Sequence, residues 1–136
     1  LSKTNERLNI ENNQLIDIKY IYNLDNFFEY TENFDAKFTR NNKIYYFNLK
    51  FICSDGGFQT RILREVYHFI KIQHNFLLNI SNKNIYIINI LDGVTSYKYN
   101  DKIKNIQNKD VYCTIKNNIF IGDLYTFQKN KHIYSL

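Results

Sequence analysis

At 136 residues and 44% hydrophobic side chains, the chain is long enough to bury one core and too short for several domains. Its formal charge of +5 suits a polyanionic partner, although an excess of that size also occurs in proteins that bind none. Cys53 and Cys113 stand far apart with no CxxC or histidine pair, and no apolar run approaches the about eighteen residues of a membrane span. Zinc, a disulfide framework and membrane insertion are therefore not indicated, and a soluble cytoplasmic protein with two reduced, packed thiols is expected. Because the chain starts at Leu1 and contains no methionine, it is expected to be a piece of a longer protein, with the missing portion of that chain among its partners.

Residues 1–14 are polar and Asn-rich, which suggests a connector. The pattern from Leu15 to Tyr22 suits a strand or a helix entry, and Phe27-Phe28 adds an apolar knob. Two aromatic, alternating runs then flank Asn41-Asn42, and asparagine tolerates the positive φ of a tight turn, so residues 34–52 read as a β-hairpin. Ser54-Asp55-Gly56-Gly57 breaks the strand. Ile62, Leu63, Val66, Phe69, Ile70 and Gln73 follow at helical spacing, with Arg61, Arg64, Glu65, His68 and Lys71 mostly on the opposite face.

The nearly continuous apolar run Ile85 to Leu91, closed by Asp92-Gly93, suits a central strand buried on both faces. Residues 100–109 read as a loop or a solvated helix. Val111 to Ile115 and Ile119 to Ile121 read as short strands around an Asn117-Asn118 turn, and Gly122-Asp123 as another turn. The whole is a single α/β domain with a mixed central sheet and flanking helices. His68, His74 and His132 are not spaced for a shared metal and are expected at the surface.

Side chains alternate along a strand, so Asn48 and Lys50 project from one face, and Asp35 on the partner strand can reach that face. Phosphodiester hydrolysis uses such a set: oxygen ligands for magnesium and a lysine that orients water and offsets charge. Asp35, then Asn48-Leu49-Lys50, then Gly56-Gly57 entering the helix Gln59-Thr60-Arg61-Ile62-Leu63-Arg64-Glu65 resembles the core of PD-(D/E)XK nucleases of the type II restriction endonuclease kind. The resemblance covers roughly residues 30–93. It implies a restriction-endonuclease-like core and a magnesium-dependent, sequence-specific DNA endonuclease that acts on double-stranded DNA as a homodimer. Asp35 and position 48 would then hold Mg2+, Lys50 would position water, and Gly56, Gly57, Gln59, Thr60, Arg61 and Arg64 would meet DNA.

Asn48 departs from the pattern, because the family has a carboxylate there. Three explanations stay open: a deliberate change that traps a DNA complex, a move of the acid to Glu65 on the helix, or a DNA- or RNA-binding module that does not cut. Plainer roles compete as well. Asp35 and Lys50 suit a cross-strand ion pair, Arg61 and Glu65 an i,i+4 pair, and the two glycines a sharp turn.

Overall fold

The structure is a computed structural model and describes residues 1–17, 29–52 and 57–136, with the side chains of 57–59 and 95 outside that description. The expectations for Ile18 to Tyr22, Phe27-Phe28, Cys53, the Ser54-Asp55-Gly56 break and the Gln59 side chain lie outside the described residues.

The chain forms β1 (Glu6–Leu8), β2 (Leu15–Asp17), β3 (Ala36–Arg40), β4 (Lys43–Phe51), α1 (Gly57–Asn79), β5 (Ile85–Asp92), α2 (Val94–Lys104), β6 (Ile119–Gly122) and α3 (Leu124–Asn130). The main sheet has the order β3-β4-β5-β6. Its first pair is antiparallel and the other two are parallel. The expected hairpin is present: Asn41 and Asn42 carry φ of 51° and 65°, the positive values a two-residue turn requires.

Period-two alternation splits the sheet into two cores. Tyr46, Ile87, Leu91, Ile119 and Ile121 pack with Val66, Phe69 and Ile70 of α1, whereas Tyr45, Phe47, Ile88, Ile90 and Phe120 pack with Phe127 of α3. The parallel strands are thus covered on both faces, which explains why β5 reads as an unbroken apolar run. Mixed α/β with helices flanking a mixed sheet is the architecture.

Within residues 1–14, β1 pairs antiparallel with β2, and Leu8 is fully buried in the α1-side core. Glu6 ties this corner down by accepting hydrogen bonds from Lys37 Nζ at 2.7 Å and the Tyr46 hydroxyl at 2.6 Å. Burial first, and then the bond to Glu6, push the Tyr46 phenol well above its ordinary pKa and keep it a donor.

α2 starts at Val94 and covers residues 100–104 of the stretch 100–109 that reads as a loop or a solvated helix, with a 3-10 turn following over Asn105–Asn108. Its inward positions are Ser96, Asn100 and Ile103, so polar residues on the buried stripe hid the helical period. Val111 to Ile115 departs from expectation: it forms 3-10 turns, with Asp110–Tyr112 the helical part, instead of a strand. Tyr112 and Ile115 are buried while Val111 is 61% exposed, a spacing of three that no strand can satisfy.

Cys113 is an exposed free thiol rather than a packed one. His74 also departs from expectation, since it is fully buried, with Nδ1 2.8 Å from the Ile70 carbonyl oxygen and its ring against Tyr112. A carbonyl only accepts, so Nδ1 carries a proton. Burial lowers its pKa from the ordinary 6.5, and the Ile70 bond offsets this only in part.

A depressed folded pKa means that the unfolded chain takes up the proton first. The stability His74 contributes is therefore complete above about pH 6.5 and is lost as pH falls from there through the folded pKa. Thermal melts from about pH 8 to about pH 5 are expected to show a falling Tm that is clearly shallower in His74→Gln. Equal slopes in the two proteins would contradict this assignment.

Candidate nucleic-acid interface

The β4 register puts Asn48 directly opposite Asn89 of β5, on the face that α1 covers. Asn48, Asn89 and Gln73 of α1 are each fully buried. Asn48 Nδ2 donates to Asn89 Oδ1 at 2.9 Å, and Gln73 Nε2 donates to the same oxygen at 3.0 Å. Asn89 Nδ2 donates in return to Gln73 Oε1 at 2.7 Å and to the Phe120 carbonyl at 3.2 Å. One amide from each of three elements thus joins a polar knot inside an apolar layer. Asn48 Oδ1 is buried and has no partner among the described residues.

Asp35 lies immediately before β3 and is exposed. Its backbone N–H donates to the Phe47 carbonyl at 2.8 Å, and its Oδ2 accepts from the Leu49 amide at 2.6 Å. Just before β3 begins, the carboxylate takes over the ladder and satisfies a strand amide that would otherwise be left open. Asp35 is thereby held beside the Asn48-Leu49-Lys50 triplet. Lys50 pairs with Glu32 at 2.7 Å instead of with Asp35. This pair is partly solvated and so contributes about 1 kcal/mol or less, which leaves the lysine available to a competing anion.

Glu32 was not singled out in the sequence, because nothing in its spacing connects it to Lys50. It shares a groove of about 270 Å³ with Glu65, His68, Tyr30, Phe69 and Ile72. Glu65 is exposed, and no Arg61–Glu65 ion pair forms among the described residues. The structure therefore brings Asp35 and Lys50 to one end of β4, puts Glu65 in a groove on α1 beside Glu32, and turns Asn48 inward.

The fit to magnesium can be judged from these donors. Magnesium keeps several waters and is usually held by one or two carboxylates together with substrate phosphates. The strand corner supplies one carboxylate, already bonded to the Leu49 amide, and a neutral amide oxygen. No group of three His, Cys, Asp or Glu side chains able to hold a metal ion occurs among the described residues. Positions 35 and 48 thus offer magnesium a single carboxylate, with Asn48 buried in the core.

On α1, Gly57 forms the N-terminal residue of the helix, and Gly56 lies outside the described residues. Thr60, Arg61 and Arg64 are exposed. Arg64 and Thr60 line a groove of about 320 Å³ between α1 and α2, together with Tyr67, Tyr99 and Lys102. The last three were not among the expected contacts. Arg61 and Arg64 stand three positions apart and so share a side of the helix. No helix among the described residues is long and apolar enough to cross a membrane. Comparison with protein-family models, curated protein sequences and solved structures yields no match to this chain.

Proposed function

We propose that this chain is a double-stranded-DNA-binding domain of restriction-endonuclease-like layout, which engages phosphates through α1 and Lys50 and does not cut them with the residue it has at position 48. The observation that carries this reading is the commitment of Asn48: fully buried and bonded to Asn89, it serves the core where the resembling nucleases present a carboxylate. The exposed Arg61 and Arg64 and the net charge of +5 support phosphate binding.

Binding of a labelled mixed-sequence duplex, followed by fluorescence anisotropy against salt, tests this. Affinity should fall steeply as salt rises. The Arg61→Ala/Lys50→Ala protein should bind more weakly, with a log-log salt slope shallower by about 1 to 2. Duplex affinity that is absent, or that neither salt nor this double substitution changes, would refute the reading.

A magnesium-dependent, sequence-specific DNA endonuclease is the second reading, favoured by the carboxylate of Glu32 beside Lys50 and in one groove with Glu65. It replaces the missing acid at position 48 by one from a neighbouring segment. Under it, wild-type protein cleaves DNA in magnesium, and Glu32→Gln abolishes cleavage without loss of folding.

A further inference from the structure

The groove between α1 and α2 has a composition that duplex binding does not account for. Leu63 and Ile103, 9% and 3% exposed, form its apolar floor. Tyr67 and Tyr99 line it above that floor, with Tyr99 37% exposed. Arg64 and Lys102, both exposed, supply positive charge along it, and no carboxylate lines it. The acidic residues adjacent in sequence, Glu65 and Asp101, lie outside its lining. Each ring also carries a lysine: Lys71 Nζ stands 5.7 Å from the Tyr67 centroid and Lys98 Nζ 5.4 Å from that of Tyr99.

We propose that this groove binds an unpaired nucleotide of a single-stranded nucleic-acid segment, with its base on Tyr99 and its phosphates at Arg64 and Lys102. Duplex DNA offers the surface mainly phosphates, because its base faces are stacked on one another. Two tyrosines over an apolar floor reward a planar apolar face, and an unstacked base presents one beside a phosphate. The groove's volume of about 320 Å³ is of the size that takes a small organic group. An acidic peptide would match the charge and leave the rings without a stacking partner.

This inference rests on the nucleic-acid reading in sharing Arg64, and is otherwise built from residues which that reading does not use. The test is anisotropy of a fluorescein-labelled oligothymidylate of about eight nucleotides, beside a blunt duplex, on the wild-type chain and on Tyr99→Ala, Tyr99→Phe and Lys102→Ala. Wild type should bind the oligothymidylate. Tyr99→Ala should weaken that binding about tenfold, Tyr99→Phe should keep it, Lys102→Ala should weaken it severalfold, and duplex affinity should stay unchanged in Tyr99→Ala.

Circular dichroism of each variant distinguishes a lost contact from a lost fold, and Tyr99→Phe gives a second measure should Tyr99→Ala unfold. Duplex binding without oligothymidylate binding overturns this inference and leaves the duplex reading intact; failure to bind either overturns both. Loss in Lys102→Ala with none in Tyr99→Ala means a bare anion site and overturns the stacking claim. Displacement of the oligothymidylate by polyglutamate at equal charge concentration overturns it too.

Discussion

Asn89→Ala is expected to destabilise the protein by about 3 to 5 kcal/mol, among the largest effects available to a single substitution in this fold. Asn89 sits where the amides of β4, β5 and α1 meet, and it bonds Asn48, Gln73 and the Phe120 carbonyl. Truncation strands the Asn48 amide and both ends of the Gln73 amide in an apolar layer. A buried polar group left without a partner costs about 1 to 3 kcal/mol. Replacing the knot as a whole behaves differently, because nothing polar is left behind. Asn48→Leu/Gln73→Met/Asn89→Leu should recover most of the lost stability. Urea denaturation of the two proteins checks both values, and a cost below about 1 kcal/mol for Asn89→Ala would show that the knot does not form.

Gly93→Ala is expected to cost about 3 kcal/mol or more, or to prevent folding. Gly93 links β5 to α2 at φ 97°, a backbone conformation that L side chains rarely adopt. A Cβ there would stand 2.3 Å from the Ile52 carbonyl oxygen and 2.8 Å from its nitrogen. Both are main-chain atoms, and they are fixed: Ile52 N donates to the Asp92 carbonyl at 2.9 Å, and Ile52 O accepts from Ser96 N at 3.4 Å. Neither can yield without parting the ends of β4 and β5. Gly122→Ala is the control, since its closest contact is the Phe120 ring at 2.9 Å, a side chain with some freedom to shift. Thermal unfolding should show a clearly smaller loss for Gly122→Ala, and equal losses would refute the steric account of Gly93.

The strands of the main sheet and the long helix were legible because their periods are clean. Asn41-Asn42 between alternating aromatic runs, and the stripe through Leu63, Val66, Phe69 and Ile70, each admit one geometry. Where polar residues face inward the pattern fails, as at Ser96 and Asn100 of α2 and at His74. The amide knot had a signal that could have been used: Asn48 lies among aromatic strand residues, Asn89 interrupts an apolar run, and Gln73 falls on the apolar stripe. Amides on three buried elements must find one another, since a buried amide seeks a partner. Without that step Asn48 looked only like a failed metal ligand. Glu32 was out of reach, because its tie to Lys50 is tertiary and rests on no local spacing.

The central claim is that position 48 belongs to the core and leaves this domain able to hold DNA without cutting it. Incubation of supercoiled plasmid with the wild-type chain in magnesium, at protein concentrations where duplex binding is saturated, tests it most directly, with Lys50→Ala beside it. Bound plasmid that stays supercoiled in both samples is the predicted result. Nicking or linearisation by wild type that disappears in Lys50→Ala would contradict the claim and establish the endonuclease.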